Sequence, residues 1–447
     1  MKHKKIRKQF TKIVIPIAAQ NLLSSLVSAS DALMLGGLNQ SSLSAVSLAT
    51  QVTFVIGLFY TALTIGTTIL SAQYWGNKQA DKVEDILTIA LKYSASISVI
   101  FWMVSLLFPG LLMRVFTNDS KLISLGIPYL QIVSWSYLFM GITQIYLCIM
   151  KNTDRTLKST IYATIALVAN LILNGVLIFG LFGFPQLGIH GAALATVIAR
   201  LIELLFVIRE NHKKEVVKIR LRRILNRNQK LTQDFIKYTT PVLANSLAWG
   251  CGFTMFSVIM GHLGNDAVAA NSIANIVKNI IACICLGIGA GSGIIIGNIL
   301  GTGDLENAKN VGDKLCKLSI IAGIISGLVI LAISPLVVSM SATLTQEAKK
   351  YLQVMLIVCS YYIIGKSINS TVISGIFCAG GDTKFGFICD TITMWVIVVP
   401  IGLFTAFTLK LPVLWVYVLL NIDELIKLPA VYKHYKKYQW VKNITKE

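Results

Sequence analysis

Asp31 is the clearest of the very few acidic residues that lie inside the long apolar stretches of this chain. At 1.5 Å per residue it sits about 10 Å along a helix from the outer end of its stretch. A carboxylate at that depth costs roughly 2.5–3.5 kcal/mol on insertion scales. A proton or a Na⁺ ion relieves that cost, so the residue suits cation coupling. The other reading is a structural hydrogen bond to a neighbouring backbone or hydroxyl group. Asn170 and Asn174 are spaced i, i+4 and share one helix face. A pair of Asn in a membrane helix also serves as interhelical hydrogen-bonding glue. In the second half of the chain, Lys278, Lys366 and Asp390 are the intraspan charges, with Asn271, Asn275 and Asn279 around Lys278. Each lines a cleft or pairs locally. Arg200 and Glu203, at i, i+3, are expected to form an intrahelical ion pair. Trp249 and Phe256 could meet an apolar cation through their ring faces, with plain packing as the alternative. The run GIGAGSG (287–293) lies inside an apolar stretch, which favours close helix packing or a hinge over a phosphate cradle. No Walker A sequence occurs, which argues against ATP as the direct energy source.

The elements that must position these residues follow from composition. Of the residues, 55% are apolar and only 13% charged, with a mean hydropathy of +0.71. An ordinary soluble domain carries roughly 25% charged residues, so the solvent here is lipid. Twelve spans are expected. In the first half they cover 12–37, 46–73, 87–114, 122–149, 160–183 and 190–208. In the second they cover 236–262, 270–299, 315–339, 347–376, 385–408 and 412–431. The first stretch is too long for a signal-peptide core. Much of the net charge of +20 sits at the N-terminus, at 209–230 and from Lys433 onward. Short basic segments beside apolar spans mark cytoplasmic loops, so both termini are expected in the cytoplasm. No basic segment interleaves aromatics as a nucleic-acid platform would. The eight cysteines include no CxxC pair and read as packing residues.

A repeat organises the chain. A shift of 225 residues aligns 16–84 with 241–309 without a gap, with 13 of 69 positions identical, including Pro16 on Pro241, Gly36 on Gly261 and Gly66 on Gly291. An even number of spans separates the copies, so both halves insert the same way up. The expected organisation is a six-helix lobe at 1–208, a basic linker at 209–235, a second six-helix lobe at 236–431 and a basic tail at 432–447. The fold class is therefore an all-α membrane protein of twelve transmembrane helices in two pseudo-symmetric lobes, suited to alternating access.

The stretches SASDALMLGGL (28–38), IGTTILSAQYWGNKQADKVEDIL (65–87) and VANLILNGVLIFGLFGFPQLGIHGAALATVIARLIE (168–203) resemble the MATE (multidrug and toxic compound extrusion) transporters. So do VIMGHLGNDAVAANSIA (258–274), GNILGTGDLENAK (297–309) and CAGGDTKFGF (378–387), in the same order. The resemblance implies cation-coupled export of small organic, mainly cationic, compounds across the cell membrane by a protein acting as a monomer. It carries the coupling carboxylate onto Asp31 and adds Asn170, Asn174 and Thr196 as cation-site partners. Na⁺, if it is the ion, would use Asp31, Asn170 and Asn174. Asn174 stands where many members have a second Asp, which removes one negative charge and weakens a Na⁺ site. Some members carry a Glu at the position of Trp249, so a span 7 coupling site is not expected. The repeat partner of Asp31 is Phe256, and the two halves are not chemically equivalent. The substrate cleft is expected to involve Trp249, Phe256, Asn275, Lys278 and Asp390. No cofactor is expected beyond H⁺ or Na⁺, and no enzyme activity, since the five His lie mostly at ends or loops. A related flippase for lipid-linked saccharides is the alternative, but it needs a cluster of fixed basic residues where this chain has a scattered few.

Overall fold

A computed structural model describes residues 2–38, 40–213, 217–219, 228–341 and 344–446, with side chains from residue 10 onward. The linker positions 214–216 and 220–227 lie outside the described residues. The first half folds as α1 (Lys2–Gly36), α2 (Gln40–Gly76), α3 (Ala80–Leu107), the short α4 (Pro109–Phe116), α5 (Ser120–Asn152), α6 (Thr156–Phe179) and α7 (Ile189–Asn211). The second half continues as α8 (Gln229–His262), α9 (Asn265–Thr302), α10 (Leu305–Met340), α11 (Gln346–Phe377) and α12 (Thr383–Thr408). Among the described residues, eleven helices are long and apolar enough to cross a membrane. In lipid every backbone group must bond within its own segment, so runs of this length become helices whatever their intrinsic propensity. Pro16 and Pro241, which correspond in the repeat, lie inside α1 and α8.

The twelfth segment, expected as one span over 412–431, is interrupted. It forms α13 (Val413–Leu420), α14 (Asp423–Ile426) and α15 (Leu428–Tyr435). Asn421 leaves helical geometry at φ −101°, ψ 19°, and Pro429 sits in the first turn of the third piece, where a missing N–H does no harm. π-helical turns also interrupt α11 at Ser370–Phe377 and α12 at Ile392–Val398 and Phe404–Thr408.

Two compact units emerge, and they do not follow the chain order expected from the spans. One comprises 23–71 and 78–239; the other comprises 1–22, 72–77 and 240–447. In the second unit, the glycines of α9 explain why the start of α1 and the end of α2 belong there. A Cβ on Gly287 would meet Ala18 at 2.8 Å, and one on Gly291 would meet Val14 at 2.5 Å. On Gly301 it would fall 2.0 Å from the carbonyl oxygen of Gln73. The GIGAGSG run is thus a close-packing surface, as its apolar setting implied. The tail is also part of this unit. Trp440 is fully buried in a cluster with Ile13, Ile17, Phe377 and Tyr435. Gln73 Oε1 accepts from the Ile444 amide at 2.9 Å, and its Nε2 donates to the Ala379 carbonyl at 2.7 Å.

The first unit is built on a core that includes Val52, Ile56, Tyr60, Tyr129 and Tyr137. Two of these phenols are hydrogen-bonded. Tyr60 donates to the Tyr137 carbonyl at 2.9 Å, and the Tyr137 hydroxyl meets Thr53 Oγ1 at 2.9 Å. Helices α6 and α7 approach so closely that a Cβ on Gly191 would lie 2.5 Å from the Leu177 carbonyl oxygen. That approach is what presents Asn170 and Asn174 on α6 to Thr196 on α7.

Candidate functional site

The four residues expected to hold a cation form one hydrogen-bonded chain in the first unit. Asn174 Nδ2 donates to Asp31 Oδ1 at 2.6 Å and to Asn170 Oδ1 at 3.4 Å. Asn170 Nδ2 donates to Thr196 Oγ1 at 3.4 Å, and that hydroxyl donates to the Ala192 carbonyl at 3.1 Å. Three helices therefore supply the chain: α1 the carboxylate, α6 two amides and α7 a hydroxyl. Both Asn are buried, whereas Asp31 and Thr196 are half-buried. Asn174 Oδ1 is buried and has no hydrogen-bond partner. A buried amide oxygen without a donor is costly, and a cation would satisfy it.

All four residues line a cavity of about 490 Å³, together with Ser28, Thr50, Tyr129 and Arg200 among others. That volume suits a small organic molecule. The Arg200 guanidinium does not cancel the Asp31 charge, because it lies 3.0 Å from Glu203 Oε2 in the expected intrahelical ion pair. Glu203 also accepts from Thr143 at 2.9 Å, a partner that no local spacing foretells. The cavity thus contains one unpaired acid. A lone carboxylate in an apolar setting is chemistry suited to holding a proton or a cation.

The residues expected in the second half are spread over its unit. Trp249 and Asp390 come together at a small cavity with Asp423 and Lys427. Trp249 stacks on Phe253 at 5.6 Å and carries the Lys366 ammonium 5.2 Å from its ring centre. Phe256 packs against the apolar core, and Asn275 donates to Asn271 Oδ1 at 3.2 Å. Lys278 places its ammonium 4.7 Å from the Tyr362 ring centre. Sequence reasoning missed the ion network around Glu424. Lys366 and Lys427 reach that carboxylate at 3.2 and 3.1 Å, and Lys427 also reaches Asp390 at 2.9 Å. The one local signal was the i, i+3 spacing of Glu424 and Lys427.

Comparison with known proteins gives a consistent result. A family model described as MatE matches residues 16–176 and 241–404. The probable multidrug resistance protein YoeA of Bacillus subtilis (strain 168) is 24% identical over 442 residues, covering 97% of this chain and 94% of that one. Among solved structures, an outward-facing multidrug resistance MATE family transporter of the MOP superfamily matches with TM-score 0.89 at 16% identity. It covers 98% of this chain and 96% of its own. A MOP superfamily transporter from Pyrococcus furiosus Vc1 (DSM3638), described as having a binding pocket of reverse polarity that suggests a different function, matches equally well. Its TM-score is 0.89 at 16% identity, with the same two coverages. At such identities the likeness establishes the fold.

Proposed function

The chain belongs to the MatE family of multidrug efflux transporters, and from that premise we propose that it exchanges small organic cations for H⁺ or Na⁺ across the cell membrane. One observation carries this reading: a single carboxylate without an ion-pair partner, bonded by the Asn174 amide at the head of a chain that runs on through Asn170 to Thr196, lines a cavity large enough for a drug-sized molecule. A proton or metal cation on Asp31 neutralises the site, and an organic cation competes for the same charge. Two cargoes that exclude each other at one carboxylate are what an antiporter requires, because each then shifts the balance between states that the other favours. Lys278, Lys366 and Lys427 of the second half are engaged with carboxylates or an aromatic ring. That supports an organic cargo over a pyrophosphate-linked one, whose binding needs free basic groups.

The test uses purified protein in liposomes with ethidium at equal concentration inside and out. An imposed pH or Na⁺ gradient should drive ethidium against its own gradient, and an ionophore that dissipates the driving gradient should stop it. Ethidium that stays at equal concentration under both gradients would rule out exchange.

Orientation follows from the basic loops. Single cysteines at Gln40, Lys78 and Lys437, all exposed positions, should divide between the two sides in intact cells. A membrane-impermeant maleimide should label position 40 from outside, and positions 78 and 437 only after the membrane is opened. Labelling of position 78 from outside would invert the proposed topology.

A further inference from the structure

The second unit contains a carboxylate that its own ion network leaves out. Glu424 has both Lys366 and Lys427 as ion-pair partners and also accepts from Asn369 Nδ2 at 2.7 Å. Asp390 has Lys427 at 2.9 Å and accepts from Asn245 Nδ2 at 2.9 Å. Two lysines and two carboxylates close this circuit. Asp423, adjacent to Glu424, is a third carboxylate and is only 3% exposed. Among the described residues its side chain makes no hydrogen bond or ion pair, and its Oδ1 is buried without a partner. It lines a cavity of about 10 Å³ with Trp249, Asp390, Thr393 and Lys427, which is the bare minimum for one water.

The charges that bear on Asp423 are Glu424 and Lys427 from its own segment, Lys366 from α11 and Lys278 from α9. Glu424 is a like charge. Lys366 and Lys427 are committed to other acids. Lys278 makes no ion pair among the described residues and faces the Tyr362 ring, which serves a cation well. A bare carboxylate buried with no donor is far more costly than one that keeps its proton. A metal ion is a poor substitute, because the Lys427 side chain shares the cavity.

We propose that Asp423 is a proton-binding site of the second half, separate from Asp31, loaded in this conformation and unloaded when Lys427 leaves Asp390. The spacing provides the switch. Lys427 stands at i+4 from Asp423 and shares its face, whereas Asp390 comes from α12. A shift of α12 away from α14 breaks the Lys427–Asp390 contact and leaves Asp423 as the ammonium's next acceptor. The carboxyl then ionises. Its O–H bond breaks, the electron pair stays on the carboxylate, and the proton passes to water beside the partly exposed Asp390. This site goes beyond the Asp31 reading and stands without it.

Infrared spectroscopy of purified protein in lipid at neutral pH tests the proposal. In an Asp31→Asn background, a neutral carboxyl C=O stretch that shifts in D₂O should remain. It should vanish in Asp31→Asn/Asp423→Asn and move in frequency in Asp31→Asn/Asp423→Glu, the milder change should the first fail to fold. Asp31→Asn/Asp390→Asn, which releases Lys427, should also lose the band. A spectrum without the band in Asp31→Asn, or a band untouched by every change at 423, would overturn the site. A band unchanged by Asp390→Asn would overturn the switch. The difference between wild type and Asp31→Asn reports on Asp31 alone, so the two sites succeed or fail separately.

Discussion

Asp31→Asn should yield a folded protein in which ethidium export no longer responds to a cation gradient. The gradient-driven rate should fall at least tenfold, which corresponds to about 1.4 kcal/mol in the barrier. Shape is not the reason. Asn is close in shape to Asp, and its side-chain oxygen can still accept from Asn174 Nδ2, so the 2.6 Å link between α1 and α6 survives. The cavity of about 490 Å³ keeps its walls. What disappears is the one unpaired negative charge in that cavity, since Glu203 is already committed to Arg200 and Thr143. Removing an intramembrane charge should even raise thermal stability slightly, because the desolvation cost of the anion goes with it. Gel filtration and thermal unfolding would establish folding, and efflux from liposomes would establish function. Wild-type gradient-driven export from a well-folded Asp31→Asn protein would remove Asp31 from the mechanism.

The first-half site was legible because its signals are local and rare. An acid inside an apolar stretch is conspicuous, and Asn170 and Asn174 declare a shared face through their i, i+4 spacing. The resemblance then supplied Thr196, which spacing alone could not connect to α6. The second half resisted the same approach. Asp390, Lys366, Asn369 and Asn245 come from three helices far apart in sequence, and they meet around Glu424 and Lys427. Hydropathy hid these last two, because the apolar run from Val413 to Leu420 continued the count of a twelfth span across them. The break at Asn421 depends on a turn and a following proline, features that a window average smooths away. The compact units were likewise invisible in loop positions. They depend on Gly287, Gly291 and Gly301, whose missing side chains admit neighbouring backbone. The sequence marks those glycines but not what approaches them.

Protons alone should support export, and this expectation separates two readings of the same four residues. Purified protein under a pH gradient in nominally Na⁺-free buffer should export ethidium at the rate seen with Na⁺ present. A proton needs one basic oxygen, and Asp31 supplies it. Na⁺ needs several oxygens in place of its hydration shell, with enough negative charge to hold it. Here the second acidic position of the family is Asn174, and its Nδ2, a donor, is the group turned toward Asp31. A donor there stabilises a carboxylate but repels a metal ion. The opposite case rests on Asn174 Oδ1, buried and without a partner. If the amide turned over, that oxygen would face Asp31, and Na⁺ between them would satisfy both, with Asn170 Oδ1, 3.4 Å from the Asn174 amide, as a further oxygen. Amide orientation follows the hydrogen-bond network, so occupancy by Na⁺ would reverse it. Asn174→Asp separates these readings further. A second carboxylate should create or strengthen Na⁺ dependence while leaving a proton-driven wild type unaffected by Na⁺. Export that is absent in Na⁺-free buffer and restored by millimolar Na⁺ would show that the wild-type cluster is already a sodium site.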